Sequence, residues 1–361
     1  MHTVLHTESS YGHGGQEIRT LAETRWLLDH GWRALIACQP DSPLLAEART
    51  AAIPVVAIRM RGAADLGALL SLRRLLRERD VSLVHTHSSV DSWLGAIAAR
   101  SFGRPVVRSR HVSIPIRRRR ALVYRLADRI ITSGEGVRTL VIASGVAPER
   151  VVAIPAGVDT KRFHGEVSGK RVRDELGLPA AAPVVGLVAN VRGSKGHNVF
   201  LEAARAVLAA APDTRFLIVG AGVGFDEVSG RVQQMGLGAR VRLTGFRRDV
   251  PEVMAALDVL ALPSIRSEAI PQVIPQALAV GTPVVASTVG GSPELIRDGE
   301  NGRLVPPSDP EALADAILAL LRDPARARAM ARAGQAMVRE RYTIDATMTR
   351  TADVYRTLVR G

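Results

Sequence analysis

Several short stretches of this chain hold residue types and spacings suited to chemistry. Asn190-Val191-Arg192-Gly193-Ser194-Lys195-Gly196-His197 places a lysine and an arginine on one glycine-containing loop, a combination suited to neutralising a diphosphate leaving group. Lysine is scarce here and arginine common, so compositional bias does not account for Lys195. Ser264 to Ala277 carries a carboxylate, Glu268, and an amide, Gln276, eight residues on. Sugar hydroxyls are donors, so a fixed carboxylate is a natural acceptor for them, and backbone between the two would face a bound anion. Gly290-Gly291-Ser292-Pro293-Glu294 makes a further turn into a helix, with good capping residues. Ser9 to Gln16 includes Gly12, Gly14 and Gly15, which would let backbone N–H groups approach a diphosphate or an acceptor group. His85-Thr86-His87 ends an apolar run, and alternate strand residues share a face, so both rings point the same way. No carboxylate or cysteine lies at a helpful spacing, so no zinc is expected there. Each stretch also has a plain structural reading: a tight turn at 12–15, a satisfied core histidine at 87, a solvated loop at 190–197.

These stretches all sit at the ends of short apolar runs. Strands are expected at 2–7, 34–38, 55–59, 83–87, 105–109, 129–133 and 151–155, then at 184–191, 215–220, 241–245, 259–263, 283–287 and 302–306. Helical patterns separate them. In 16–30, Ile18, Leu21, Ala22 and Leu28 fall on one face and Gly31 can close the helix. Short buried strands alternating with helices mean βαβ units and parallel sheets. Residues 165–183, rich in Gly, Pro and polar side chains, read as a connection between two such domains, and 311–361 reads almost entirely as helix. The expected architecture is α/β: two parallel-sheet domains facing across a cleft, with ligands outside the carboxyl ends of the strands. Neither half has G-x-G-x-x-G after its first strand, and 220–224 lacks the spacing, which removes most support for a dehydrogenase.

A length of 361 residues favours two domains, since single cores stop growing near roughly 250–300 residues. With 47% hydrophobic and 23% charged residues the chain is ordinary for a globular protein. No apolar run approaches the roughly 20 residues of a spanning helix, and the first residues do not read as a signal peptide. The single cysteine, Cys38, excludes an internal disulfide framework and suits the cytosol. Residues 1–165 hold 24 Lys and Arg against 14 Asp and Glu, a balance of +10, whereas residues 166–361 hold 24 against 21. Either a polyanionic partner of the first half or an arginine-rich codon usage explains that excess. Nucleic acid is disfavoured by 4% aromatic residues and the lack of a recognised module.

The ordered set carries a family resemblance. Lys195-Gly196-His197, Gly245-Phe246-Arg247 with Asp249, Asp258-Val259, Leu262-Pro263-Ser264, Ser267-Glu268 through Ala277-Leu278-Ala279, Gly281 to Ala286 and Gly290-Gly291 together closely resemble family 4 of the retaining, nucleotide-sugar-dependent glycosyltransferases. The Gly14-Gly15 loop and His85-Thr86-His87 are similar to that family too, and the resemblance spans essentially the whole chain. It implies a GT-B fold of two Rossmann-like domains: 1–165 on the acceptor side, 170–342 binding the nucleotide sugar, and a helix within 343–361 crossing back to the first. It implies further that Lys195 binds the donor diphosphate, that Glu268 contacts the transferred sugar and that His87 sits near the reacting centre. Gly15, beside Gly14, would let backbone approach donor or acceptor; Phe246 and Arg247 would flank the base. Asn190, Arg192, Ile270, Pro271, Gln272 and Gln276 complete the expected donor side. A nucleotide sugar is then the co-substrate, with no metal or other cofactor expected.

Three positions depart from the family pattern. Gln276 stands where a second Glu commonly holds the ribose, and Asn190 where an Arg precedes the Lys by five residues, with Arg192 able to replace its charge. Pro275 is unusual inside the expected helix and would delay its start to that residue. On the acceptor side Arg108, Arg110, His111 and the run Arg117, Arg118, Arg119 and Arg120, followed by Leu122, Val123, Tyr124 and Leu126, form a basic and apolar segment. Contact with an anionic membrane surface fits it, as does an exposed loop and ordinary helix. The expected function is glycosyl transfer to a lipid-linked or cell-envelope glycan of lipopolysaccharide or polysaccharide type, in the cytoplasm, either free or peripheral at the inner face of the plasma membrane. A GT-B epimerase, a transferase making a soluble disaccharide, and a catalytically weak sugar-nucleotide-binding or scaffold protein are the alternatives.

Overall fold

The computed structural model describes residues 2–12, 14–116, 121–266 and 268–359. The chain divides into two units, Met1–Gly157 together with Ile344–Gly361, and Val158–Thr343. In the first, β1 (Thr3–Glu8), β2 (Arg33–Cys38), β3 (Val55–Ala57), β4 (Leu83–Thr86), β5 (Val106–Arg110), β6 (Arg129–Thr132) and β7 (Val151–Ala153) form a parallel sheet ordered β3-β2-β1-β4-β5-β6-β7. In the second, β8 (Val184–Val188), β9 (Arg215–Val219), β10 (Val241–Gly245), β11 (Val259–Leu262), β12 (Val284–Ser287) and β13 (Arg303–Val305) are ordered β10-β9-β8-β11-β12-β13, again parallel. Val, Ile, Leu and Ala dominate the central strands because helices cover both faces. In each sheet the order reverses beside the first strand, between β1 and β4 and between β8 and β11. Loops leaving such neighbouring strands in opposite directions open a crevice at their carboxyl ends.

One face of the first sheet is covered by two helices, Gly15–Asp29 and Ile344–Val359. Trp26, Leu27, Met348, Ala352 and Tyr355 pack there on Val4, Leu83, Val107 and Ile131. Trp26 Nε1 donates to Asp345 Oδ1 (2.7 Å) and Arg350 to the Ala153 carbonyl (2.7 Å), which ties the terminal helix into this unit. The helix Gly15–Asp29 does not bury the expected face. Ile18 is 54% exposed, and the buried residues are Glu17, Arg19, Thr20, Glu23, Thr24, Trp26 and Leu27. The cause lies in the sheet beneath it. Two residues beyond Val4, Leu83 and Val107 on the same face stand His6, His85 and Ser109, so the helix meets an apolar half and a polar half.

The boundary between units falls at 157/158 rather than near 165, and 165–183 is no linker. It lies in the second unit, where Gly169 passes so close to the helix Val250–Ala256 that a Cβ would stand 2.2 Å from Ala256 N. Arg173 donates to the Ala256 carbonyl (2.9 Å) and pairs with Asp258 (2.7 Å). Polar residues here dress a packed surface segment with its own helix, Lys170–Glu175. Among the described residues no helix is long and apolar enough to cross a membrane.

Candidate active site

The loop after β8 is shaped by its glycines. A short 3-10 turn, Gly193–Lys195, ends at Gly196 in the left-handed region (φ +73°), and the helix His197–Ala210 follows. Gly196 is pressed on the end of β11, where a Cβ would lie 1.9 Å from the Pro263 carbonyl oxygen. The Ile265 amide donates to the Ser194 carbonyl (2.9 Å), which locks the loops after β8 and β11 together. The loop after β9 closes on the same place: Gly222 (φ +156°) leaves no room for a Cβ beside the Val191 carbonyl.

This packing brings Lys195 and Glu268, 73 residues apart in sequence, into direct contact. Lys195 Nζ donates to Glu268 Oε1, and Ser264 Oγ donates to the same oxygen (2.6 Å). Glu268 is 6% exposed, so its charge is held in place by a cation and a hydroxyl rather than by water. Ser264 stands in the sequence only as part of the Leu262-Pro263-Ser264 motif, with no sign that its hydroxyl holds Glu268. Gly290 (φ +56°) and Gly291 lie against the backbone of 268–269, where Cβ atoms would stand 2.0 Å from the Glu268 carbonyl oxygen and 2.1 Å from that of Ala269. The glycine pair thus fixes the height of the Glu268 peptide.

The other residues expected on the donor side scatter more. Asn190 and Arg192 are exposed at the strand end, and Arg192 and Gly193 line a small pocket of about 100 Å³ with His197, Glu227 and Ile265. His197 is buried, and burial lowers its pKa to about 4 against the opposing pull of a hydrogen bond with the Arg192 backbone. Phe246 is 71% exposed, whereas Arg247 is committed elsewhere, in paired bonds to Glu175 (2.6 and 2.8 Å) and Asp249 (2.9 and 2.6 Å). Hydrogen bonds to those two carboxylates hold its pKa above the usual arginine value, and its place is structural. Ile270 and Gln272 are half-buried and Pro271 is buried. The helix begins at Val273, two residues before Pro275, which is tolerated in the first turn since the N–H it lacks would have no helical acceptor there. Gln276 is half-buried on that helix.

In the first unit the β1/β4 junction holds a buried polar cluster. Asp91 accepts from Thr7 Oγ1 (3.0 Å), Ser9 Oγ (2.9 Å) and the amides of His87 (2.9 Å) and Ser88 (3.0 Å). Glu8 accepts from the Ser10 amide (2.9 Å), from Gln16 Nε2 (2.5 Å) and from Ser88 Oγ. Burial, and then the nearby Asp91 charge, push the Glu8 carboxyl up to about 7. The native carboxyl keeps its proton up to that value while an unfolded one releases it near 4.5, so the native state binds more protons between them. Stability therefore falls as pH rises through that window. Glu8→Gln is expected to flatten this dependence, read as urea midpoints at about pH 5 and about pH 8 in both proteins.

His87 is only 4% exposed, and both its ring nitrogens face other rings, His6 Nδ1 at 2.9 Å and His111 Nε2 at 3.4 Å. His111, just past β5, is the half-buried member that reaches the surface. The carboxylate missing from the local spacing around His85 and His87 is supplied from the helix Gly15–Asp29 by Glu23, and β1 adds His6. Gly14 caps that helix, its amide donating to Glu17 Oε2 (2.9 Å), and a Cβ on Gly15 would meet nothing within 4 Å. Arg108 is not on the acceptor surface: it is 5% exposed, with its guanidinium 4.0 Å from the Tyr124 ring. Strand alternation turns its side chain inward, away from the face that carries Ser109. Arg110 is half-buried and donates to the Ile114 carbonyl (2.6 Å). Arg117, Arg118, Arg119 and Arg120 lie outside the described residues.

A family model described as Glycosyltransferase Family 4 matches residues 13–162, and one described as Glycosyl transferases group 1 matches 182–323. The UDP-Gal:alpha-D-GlcNAc-diphosphoundecaprenol alpha-1,3-galactosyltransferase of Escherichia coli is 30% identical over 276 residues, covering 72% of this chain and 71% of that one. The D-inositol 3-phosphate glycosyltransferase of Thermomonospora curvata is 33% identical over 308 residues, covering 76% and 70%. The crystal structure of Anabaena HepE in complex with UDP matches at a TM-score of 0.89 and 25% identity, covering 99% of this chain and 100% of that one. Two parallel-sheet units with these strand-end loops define a GT-B enzyme that transfers sugar from a nucleotide sugar. The chain belongs to glycosyltransferase family 4.

Proposed function

We propose that this enzyme transfers its sugar with retention of configuration, from a nucleoside diphosphate sugar to a lipid-linked or cell-envelope glycan. The Lys195–Glu268 pair at the β8/β11 switch point carries the reading. A bound donor replaces their mutual contact: the diphosphate takes Lys195 and the sugar hydroxyls take Glu268. As the bond from the anomeric carbon to the diphosphate oxygen breaks, Lys195 offsets the charge gathering on that oxygen, helped by the N-terminus of the helix His197–Ala210. The acceptor hydroxyl adds on the face the diphosphate leaves, and its proton passes to the departing phosphate oxygen. No metal enters this reading, since fixed positive charge performs the neutralisation. His111, the ring that reaches the surface, meets the substrate in front of the buried His87.

For the acceptor, the Escherichia coli relative is by its name specific for a diphosphoundecaprenol-linked sugar. In this chain exposed Val112, Ile114 and Leu122 flank the arginine run of 117–120, a pairing of apolar and basic residues that suits an anionic membrane surface. Purified protein assayed with a panel of nucleotide sugars and an undecaprenyl-diphosphate-linked sugar tests the reading, with the product anomer assigned by NMR. Failure of every nucleotide sugar to bind at about millimolar concentration, or an inverted product, sinks it.

Gln276 favours a second, weaker reading as a sugar-nucleotide binder with little turnover. A charged acceptor strengthens a hydrogen bond to a ribose hydroxyl, so Gln276→Glu is expected to lower the donor KM by about tenfold. Initial rates against donor concentration check this, and an unchanged KM contradicts a ribose contact at 276. Wild-type binding without turnover, with turnover gained by the variant, would establish the weaker reading.

A further inference from the structure

The cluster beneath the β1/β4 junction holds more titratable groups than the transfer reaction uses. His6, His85, His87 and Glu23 offer ligand-type atoms all within 4.8 Å of one another, an arrangement open to a metal ion. Its bonding points elsewhere. Glu23 Oε1 already accepts from Arg19 Nε (2.6 Å) at a buried ion pair, and that guanidinium would repel a cation. His85 is saturated, with Tyr355 Oη at 2.6 Å from Nδ1 and Ser109 Oγ at 2.8 Å from Nε2. Within this cluster His6 Nε2 and Glu23 Oε2 are buried without a hydrogen-bond partner, Glu23 Oε2 lying 4.0 Å from His85 Nδ1.

What remains is a row of rings: His6 Nδ1 faces His87 Nε2, and His87 Nδ1 faces His111 Nε2. Burial holds His6 down to about 4 and lowers His87 and His111 as well, so all three are neutral at pH 7 and each carries one ring proton. A neutral row can point in only two directions. Either every ring bears its proton on Nε2, or every ring bears it on Nδ1, because each inner contact needs one donor and one acceptor. The Glu23 carboxylate lies within 4.8 Å of the His6 ring without a hydrogen bond to it, and its charge favours an N–H on the unpartnered His6 Nε2 over a lone pair.

We propose that Glu23 and His6 are positioning residues that set the direction of this row, so that His111 bears its proton on Nε2 and turns an acceptor nitrogen, Nδ1, toward the substrate. An acceptor at that point recognises a donating hydroxyl of a sugar. The inference rests on the reading that His111 meets the substrate, but the proton positions can be observed without it.

The test is ¹⁵N NMR of the histidine-labelled full chain, where protonated and unprotonated ring nitrogens resonate apart. In the wild-type protein His6, His87 and His111 are expected to show protonated Nε2 and bare Nδ1. Glu23→Gln is expected to move His111 to the opposite tautomer or a mixture and to lower kcat/KM by about 10- to 100-fold, with Glu23→Asp restoring most of both. A wild-type His111 protonated on Nδ1, tautomers unchanged in Glu23→Gln, or a stoichiometric transition metal by elemental analysis would each overturn the proposal. The wild-type spectrum decides even if the variant does not fold. Full activity in His111→Ala overturns the link to substrate, and so the reading beneath it, while leaving the observed direction of the row as a separate result.

Discussion

Lys195→Ala is expected to lower kcat by about 100- to 1,000-fold, the cost of losing one preorganised group that meets charge as it develops. Lys195 is held by the turn Gly193–Lys195 and by the left-handed Gly196, so in the proposed reaction its ammonium would need little reorganisation as the diphosphate leaves. Donor hydrolysis and transfer, followed in single-turnover experiments, separate this loss from weaker binding. The same change strips a buried carboxylate of its cation, and breaking one side of a buried pair commonly costs about 3–5 kcal/mol. Lys195→Ala combined with Glu268→Gln removes that penalty. Recovered stability without recovered turnover is the expected pattern, and a wild-type rate in Lys195→Ala would remove the lysine from the reaction.

Gly290→Ala is expected to be nearly as damaging although it touches no substrate. A Cβ at this position would stand 2.0 Å from the Glu268 carbonyl oxygen, and the φ of +56° adds about 1–2 kcal/mol of strain for any L side chain. The peptide of Glu268 must move, and a displacement of about 1 Å at a reacting centre costs on the order of 100-fold. Calorimetric titration with the preferred nucleotide sugar should show weakened binding, and thermal melting should show a fold that still forms. Unimpaired binding and turnover would mean that the Glu268 loop does not need its glycine support.

The thirteen strands among the described residues and their parallel sheets are readable from apolar runs alone, since a buried parallel strand has few compositions open to it. Loop residues at strand ends were readable as candidates for the same reason, and the Lys195–Glu268 contact follows from which strands neighbour each other. Three features were not readable. The helix Gly15–Asp29 buries Arg19 and Glu23 because histidines from β1 and β4 lie beneath it, a tertiary fact that no period of 3.6 contains. Arg108 reads as a surface charge until strand alternation sends it inward against Tyr124. By its neighbours in sequence His111 belongs to the basic segment, yet its ring ends a row that begins 105 residues earlier at His6. Pairings of that separation are set by sheet order, not by local sequence.

Val158 and Thr343 stand side by side, bridged as short parallel backbone, with the Val158 amide donating to the Tyr342 carbonyl (2.7 Å). The second unit is thus spliced into its host like a cassette, entering and leaving through adjacent points, while the segments before and after it both belong to the host. Excised at those points, the cassette retains an unbroken polypeptide and its own core; the host, cut at the same points, becomes two fragments.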